Sequence, residues 1–224
     1  MEPVLVEVRS RKAFAGAICD RTCAILNHAL AFGERVSLVL PGGSTPHLFL
    51  NELGDSPLPW QRVDWVLSDE RWVGVRSPES NAARVRAVLA STAARQACFF
   101  SLKTRHQTPS AGLEAVERQI SRMAWPPAMT ILGMGEDGHI ASLFCQSDLA
   151  RPGRLVASRS PAGPAQRISL GLSALTSSMR LLIAVRGSKK KKLIEKILRG
   201  QCRDLPVTRL RAEVGERLTF IAWA

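Results

Sequence analysis

Residues 131–144 hold a histidine whose surroundings suit catalysis, because an apolar run leads into G-x-G-x-D-G-H and then into a second apolar run. Gly133 and Gly135 would open a turn at the carboxyl end of a strand, with His139 at the mouth of a following helix. A neutral imidazole can act as a general base near pH 7, and Asp137 is placed to orient that ring or stabilise its protonated form. The segment lacks the third glycine and the later acidic residue of a dinucleotide fingerprint. A single histidine is more often structural than catalytic, but the flanking glycines and acid favour catalysis here.

Residues 39–46, V-L-P-G-G-S-T-P, are typical of a loop that binds a phosphate or another small anion. Gly42 and Gly43 let the backbone come close to a ligand, and the hydroxyls of Ser44 and Thr45 add donors. Thr45 is predicted to cap a helix whose first residue is Pro46, and that helix N-terminus would offer free N–H groups and a positive dipole. The alternative is a tight strand-to-helix turn with an ordinary cap, and the local sequence favours neither.

The charged run S-D-E-R-W at residues 68–72 follows an apolar strand pattern. It is therefore expected at the carboxyl end of a strand, where α/β sheets place their ligand crevice. Asp69 could accept hydrogen bonds from sugar hydroxyls, Arg71 could hold an anion, and Asn81 could face the same crevice from a helix cap. Taken alone, the run is better explained as a solvated loop with an internal salt bridge.

Two cationic elements follow in the last third of the chain. Arg167 begins a strand pattern, and G-S-K-K-K-K at residues 187–192 opens a helical one. A run of four lysines is usually a solvated face. One lysine on the first helical turn could still point back over the strand ends toward an anion.

Short β-branched runs alternate with helical patterns along the whole chain. Strands are predicted at Val4–Val8, Val36–Leu40, Val63–Leu67, 98–102, Met129–Leu132, 167–170, 181–185 and Leu218–Trp223. Helices are predicted at residues 11–32, 47–53, 80–89, 112–123 and 189–198. This alternation predicts a three-layer α/β/α architecture around a largely parallel sheet, in a single domain spanning residues 1–224. Residues 147–164, rich in Pro, Gly, Ser and Arg, are expected to form a mobile surface loop.

The composition is that of an ordinary globular chain, with 46% hydrophobic and 22% charged residues among 224. The longest apolar runs are strand-sized and the first residues lack a signal-peptide layout, so we expect a cytoplasmic protein without a membrane partner. Five scattered cysteines without C-x-x-C predict neither a disulfide framework nor a metal site. The net charge of +12 could suit nucleic acid, but no nucleic-acid-binding motif is present. A basic surface with a pocket for an anionic substrate is the favoured explanation.

Five motifs in order resemble the 6-phosphogluconolactonase family, within the wider sugar-phosphate isomerase and deaminase superfamily. They are L-P-G-G-S-T-P, S-D-E-R-W-V with the later S-N, L-G-M-G-E-D-G-H-I-A-S-L-F, R-I-S-L and G-S-K-K. The resemblance implies hydrolysis of 6-phospho-D-glucono-1,5-lactone to 6-phosphogluconate in the pentose phosphate pathway, without a cofactor. The implied partner is this phosphorylated sugar lactone rather than nucleic acid, and the chain is expected to be a monomer or a small homo-oligomer.

Carried over position by position, the resemblance makes His139 the catalytic base beside Asp137 and places Arg71 in the pocket wall. In the expected mechanism Arg71 or backbone N–H groups stabilise the oxyanion. The implied substrate pocket comprises Gly42, Gly43, Ser44, Thr45, Asp69, Asn81, Gly135, Arg167 and Lys190. Lys190 is chosen because the family pattern reads G-x-x-K, and Lys189 and Lys191 remain rivals. Cys145 stands where the family usually has proline after S-L-F, which could change a helix start without touching the chemistry.

Two other functions compete with this prediction. A glucosamine-6-phosphate deaminase shares the fold and the phosphate loop, but continues its G-H-I-A motif with F-N-E-P. Phe144 stands here where that family carries the glutamate that partners its histidine, which argues against amine chemistry. A non-catalytic sugar-phosphate sensor would be expected to bring a DNA-binding segment, whereas the N-terminus here leads straight into the first predicted strand.

Overall fold

The computed structural model describes residues 4–224, in which strands and helices alternate as the sequence pattern predicts. The strands are β1 (Val4–Val8), β2 (Val36–Leu40), β3 (Val63–Leu67), β4 (Asp69–Arg71), β5 (Cys98–Phe100), β6 (Met129–Leu132), β7 (Leu155–Arg159), β8 (Gln166–Leu170), β9 (Arg180–Arg186) and β10 (Leu218–Trp223). The α-helices are α1 (Arg11–Leu30), α2 (Leu50–Gly54), α3 (Asn81–Ser91), α4 (Pro109–Ile120), α5 (Gln146–Leu149), α6 (Leu172–Thr176), α7 (Ser188–Leu198) and α8 (Pro206–Val214).

Seven of these strands form one parallel sheet in the order β1-β10-β9-β6-β2-β3-β5. Every residue of the central strands β2, β3 and β6 is buried. Parallel strands covered by helices on both faces read as continuous apolar runs, and this is the pattern that those three segments carry. The predicted fold class, helices around a largely parallel sheet, is confirmed.

The order of the strands reverses next to β2. The chain passes from β2 to β3 and β5 on one side, and then returns to place β6 on the other side of β2. Loops that leave the carboxyl ends of β2 and β6 therefore diverge and open a crevice between them, where ligands bind in sheets of this kind.

A second, antiparallel sheet in the order β4-β8-β7 lies beside this crevice. It was not predicted from the sequence. The run Asp69–Arg71, expected as a loop, is strand β4 and pairs with β8, so that Asp69 lies opposite Ser169 and Arg71 opposite Arg167. Residues 147–164, expected as a mobile loop, contain strand β7, and that expectation is wrong for Leu155–Arg159.

Two expected helix starts are also wrong. The glycine loop runs into a 3-10 helix at Thr45–Leu48, whose first N–H groups receive no side-chain cap, and α2 starts only at Leu50. Thr45 therefore does not cap an α-helix. His139 does not open a helix either: residues 134–143 form a turn with two isolated β-bridges, and the next helix, α5, is four residues long. Helices α5, α6 and α8 were not predicted.

Among residues 4–224 no helix combines the length and apolar character needed to cross a membrane. All five cysteines are free thiols.

Candidate functional site

A cavity of about 300 Å³ opens at the carboxyl ends of four neighbouring strands, β9, β6, β2 and β3. The loop after each strand contributes to its wall: the glycine loop after β2, Ser68 and Asp69 after β3, the turn after β6, and Lys190 after β9. Strands β4 and β8 of the small sheet close one side with Arg71 and Arg167. The cavity thus forms where the strand order reverses.

His139 lines this cavity in the turn after β6, and Asp137 holds its ring from behind. The carboxylate Oδ1 lies 2.6 Å from the ring Nδ1, and it also accepts the backbone N–H of His139 at 3.2 Å. Partial burial raises the pKa of Asp137, but the hydrogen bonds and charge of His139 outweigh that effect and leave the pKa below its ordinary value. An ionised carboxylate can only accept, so the neutral form of the ring carries its proton on Nδ1 and its lone pair on Nε2. The arrangement gives a basic nitrogen of fixed orientation.

Gly135 permits this arrangement because no side chain fits beside the pair. A Cβ on Gly135 would lie 2.2 Å from Oδ1 of Asp137 and 2.2 Å from Nδ1 of His139. The same turn is fixed from outside by α8, since the Val207 N–H donates to the Gly138 carbonyl at 3.1 Å. Gly138 has a φ of +79° and packs against Leu205, where a Cβ would meet Cδ1 at 2.9 Å. The turn is therefore held on both sides by close contacts that only glycine allows.

The glycine loop after β2 lies opposite this turn, and Gly42, Gly43, Ser44 and Thr45 all line the cavity. Gly43 has a φ of +76°, the left-handed region that favours glycine. Its N–H donates to Oδ1 of Asn81 at 3.2 Å. A Cβ on Gly42 would lie 2.1 Å from Nδ2 of Asn81, so the first glycine is needed for close packing against α3.

Asp69 forms part of the cavity floor, where the carboxylate is 6% exposed. Its Oδ2 accepts the hydroxyl of Ser142 at 2.6 Å, and its Oδ1 accepts that of Ser68 at 3.2 Å. Ser142 is itself fixed by Ser169, whose Oγ accepts the Ser142 N–H at 3.2 Å. These serines were not singled out from the sequence, since their roles depend on pairing between segments distant along the chain.

Three cations converge on the cavity, and none of them has an ion-pair partner among the residues described. Arg71 and Arg167 are paired across β4 and β8, and Lys190 approaches from the first turn of α7. Burial lowers the pKa of Arg167, and the positive charge of Arg71 lowers it further. Both guanidinium groups are held by carbonyls, Arg71 by that of Glu79 at 2.6 Å and Arg167 by that of Pro164 at 2.8 Å. Like charges placed together in this way create a site for an anion.

The lysine run contributes only Lys190 to this wall. Lys189 lies 3.6 Å from the carboxylate of Glu136, and Lys191 lies 2.6 Å from that of Glu7. Lys189 and Lys191, the two alternatives considered from the sequence, therefore pair with carboxylates outside the cavity lining.

Asn81 is the predicted pocket residue that the structure places apart from this cavity. It is 2% exposed and lies behind the glycine loop, where both ends of its side-chain amide bind backbone groups. Asp137 also lies outside the lining and acts on the cavity through His139. The other predicted residues all line it.

Phe144 and Ala141 line the cavity too, although neither was predicted as a site residue. The Phe144 ring packs 4.9 Å from the His139 ring, centroid to centroid, at a tilt of 49°. Ala141 has a φ of +49°, a conformation that costs a non-glycine residue about 1–2 kcal/mol. Within residues 4–224 no group of three or more His, Cys, Asp or Glu side chains is arranged to hold a metal ion.

Comparison with known proteins finds relatives over most of the chain. A family model described as glucosamine-6-phosphate isomerases/6-phosphogluconolactonase matches residues 9–219. A 6-phosphogluconolactonase of Pseudomonas putida is 32% identical over 213 residues, which cover 92% of this chain and 87% of that protein. One from Pseudomonas aeruginosa is 35% identical over 172 residues, or 74% of this chain and 72% of that protein.

The crystal structure of a 6-phosphogluconolactonase from Shewanella baltica has the same fold, with a TM-score of 0.90 and 28% identity. The match covers 99% of this chain and 97% of that chain. With the family model spanning nearly all of the sequence, the chain belongs to the glucosamine-6-phosphate isomerase/6-phosphogluconolactonase family.

Proposed function

We propose that this chain hydrolyses 6-phospho-D-glucono-1,5-lactone to 6-phospho-D-gluconate, the oxidative-branch reaction of the pentose phosphate pathway. The observation that carries the proposal is a histidine, oriented by a carboxylate, in a cavity that also holds three cations, none of them paired with a carboxylate of residues 4–224. A base and an anion site within one crevice are what hydrolysis of a phosphorylated ester requires. The relatives that match over most of the chain are named for this activity.

In the proposed mechanism Nε2 of His139 takes a proton from a water molecule as the water oxygen attacks C1 of the lactone. Asp137 stabilises the imidazolium that forms, because its carboxylate already accepts the Nδ1 proton at 2.6 Å. Negative charge develops on the carbonyl oxygen, where Arg71 or backbone N–H groups of the turn stabilise it. The bond from C1 to the ring oxygen then breaks, and His139 returns its proton to that oxygen. The product acid ionises and releases one proton to solvent.

Arg167 and Lys190 supply positive charge for the phosphate, with the glycine loop and its hydroxyls at residues 42–45 as further donors. Asp69 faces the sugar and accepts from its hydroxyls. No cofactor takes part in this scheme. The proposal treats residues 1–224 as one domain acting in the cytoplasm, as a monomer or a small homo-oligomer.

The deaminase alternative is less well supported by the site. It requires a carboxylate beside the histidine in place of Phe144, whereas the Phe144 ring packs against His139 here. Among the described residues that line the cavity, Asp69 is the only one with a carboxylate, and that carboxylate accepts hydrogen bonds from Ser142 and Ser68.

The test is turnover of freshly prepared lactone, coupled to 6-phosphogluconate dehydrogenase and corrected for spontaneous ring opening. His139→Ala should lower kcat by about 10²–10⁴-fold, the usual contribution of a general base, with an unchanged melting temperature. His47→Ala is the matched control, because His47 is exposed and does not line the cavity. Wild-type protein without activity above background would refute the proposed reaction, and near-normal turnover by His139→Ala would refute the assignment of the base.

A further inference from the structure

Glu70 is a buried carboxylate for which the proposed mechanism has no use. It lies between the two cavity residues Asp69 and Arg71 in strand β4, but it points away from the cavity lining and is 1% exposed. No Lys or Arg within residues 4–224 pairs with it at ion-pair distance. Burial raises the pKa of this group, and hydrogen bonds from Ala82, Asn81, Arg71 and Ser80 oppose the rise.

Four donors take the place of a cation partner, two on each carboxylate oxygen. The backbone N–H groups of Arg71 and Asn81 donate to Oε1 at 2.7 and 2.8 Å. The N–H of Ala82 and the hydroxyl of Ser80 donate to Oε2 at 2.7 and 3.0 Å. Glu70 therefore fastens the start of helix α3 to strand β4, at the end of the helix where a negative charge is most favourable.

Helix α3 in turn holds two parts of the cavity wall. The Asn81 amide accepts the Gly43 N–H through Oδ1 and donates to the Asp69 carbonyl through Nδ2 at 3.1 Å. Arg84, one turn further along, donates to the Gly43 carbonyl at 3.3 Å. Helix α3 thus binds both the N–H and the carbonyl of Gly43. Any displacement of the first turn of α3 therefore moves the glycine loop relative to Asp69.

We infer, on the basis of the proposed function, that Glu70 is a positioning residue that sets the geometry of the substrate-binding wall through Asn81. It touches neither the substrate nor His139. It fixes the distance between the glycine loop and the Asp69–Arg71 strand, which together surround the phosphorylated sugar. The turn that carries His139 is held separately, by α8. Loss of Glu70 should therefore weaken substrate binding far more than it slows the chemical step.

The first variant is Glu70→Gln, which keeps the size of the side chain but leaves one acceptor oxygen where there were two. The amide nitrogen would then face the N–H groups of either Ala82 or Asn81, and the helix start must shift. We expect KM to rise about 10–100-fold, because the displaced glycine loop would lose a hydrogen bond to the charged phosphate and the loss of one such bond has an effect of this size. The kcat per folded enzyme should stay within about threefold of wild type.

The second variant, Asn81→Ala, removes the link between the helix and the loop while leaving Glu70 and its donors in place. This variant should also raise KM. The double variant should be no worse than the more severe single one, since the two residues act in series. If Glu70→Gln does not fold, Asn81→Ala alone carries the test.

The matched control is Asp64→Asn, which neutralises another carboxylate that is 1% exposed and lies in the preceding strand, β3. Asp64 pairs with Arg35 and accepts the Ala124 N–H at 3.0 Å, away from the cavity. It should lower the melting temperature without changing KM. A purely structural role for Glu70 would give the same result as this control.

Unchanged KM in either Glu70→Gln or Asn81→Ala, with active wild-type enzyme, would overturn the inference and leave the proposed function standing. If wild type does not hydrolyse the lactone, the proposed function fails, and calorimetric titration with inorganic phosphate tests Glu70 independently. Phosphate should then bind at least about tenfold more weakly to Glu70→Gln than to wild type. Equal affinities, or no phosphate binding by wild type, would overturn the inference.

Discussion

Replacement of Gly135 by alanine should disable the proposed base while leaving the rest of the molecule intact. The φ of Gly135 is not in the left-handed region, so an alanine is allowed by the backbone, and any effect comes from the added methyl group alone. That methyl would lie 2.2 Å from both Oδ1 of Asp137 and Nδ1 of His139, where ordinary contacts begin near 3.4 Å. The two side chains must move by about 1 Å or more to accept it.

The size of the effect follows from this displacement. A misplacement of about 1 Å in a catalytic group costs on the order of 10²-fold, and complete loss of a general base costs up to about 10⁴-fold. We therefore expect kcat to fall by about 10²–10⁴-fold, or about 2.7–5.4 kcal/mol in activation free energy. KM should change little, since the atoms nearest the new methyl belong to Asp137 and His139 and not to the glycine loop or the three cations.

The assay is the coupled lactonase measurement, with the melting temperature recorded for each variant. Gly74→Ala is the matched control, because a Cβ there meets nothing within 4 Å. It should behave as wild type. If Gly135→Ala kept kcat within about threefold of wild type, either the contact is relieved without cost or the His139–Asp137 pair is not the base, and the reasoning fails.

Two further predictions concern charge. Lys190→Ala should raise KM about tenfold, the lower end of the range for a hydrogen bond to a charged group, whereas Lys192→Ala on the exposed face of α7 should leave KM unchanged in the same assay. Burial, followed by the charge of Glu52, raises the pKa of Cys19 from 9.0 to about 12, so above pH 9 the unfolded chain loses this proton before the folded one does. Stability should fall by up to about 1.4 kcal/mol per pH unit between pH 9 and 12, and the slope of chemical-denaturation free energy against pH should be flatter in Cys19→Ala. An identical slope in the two proteins would contradict this, and no tyrosine is present to obscure the measurement.

The main sheet could be predicted from the sequence because its central strands are short, continuous apolar runs. Val36–Leu40, Val63–Leu67 and Met129–Leu132 match the structure residue for residue. Their carboxyl ends carry the polar loops, so the site could be located once a parallel sheet was expected. Locating the site in this way depends on the rule that ligands bind at the carboxyl ends of parallel strands, and it needs no knowledge of tertiary contacts.

The small antiparallel sheet could not be predicted in the same way. Strand β4 is three residues long and fully charged, and it is a strand only because β8, about a hundred positions further on, pairs with it. Glu70 was missed for the same reason. In the sequence alone Glu70 belongs to a charged run that is expected to be solvated. In the folded protein the backbone N–H groups at the start of α3 donate to its carboxylate.

The turn that carries His139 was placed correctly along the chain but given the wrong structure. The pattern of glycines followed by an apolar run resembles the start of a helix, yet Ile140 and Leu143 are buried by a turn held through α8. A sign of α8 was present in Pro206, which is favoured at the first position of a helix. Its contact with Gly138, about 70 positions away along the chain, depends on tertiary structure that local patterns do not encode.

The order of strands at one edge of the main sheet has a consequence for how the chain is made. Among residues 4–224, strand β1 is bound to the main sheet only through β10, which lies about 210 positions further along the sequence. On a ribosome adding about 5–20 residues per second, β1 therefore waits roughly 10–40 s before the strand that pairs with it has been synthesised. In the last part of that interval, once β9 has been made, the pairing edge of β9 is also open, because β10 covers it in the finished sheet. The nascent protein thus presents unpaired strand edges until β10 emerges, and this is the period in which it is most exposed to aggregation.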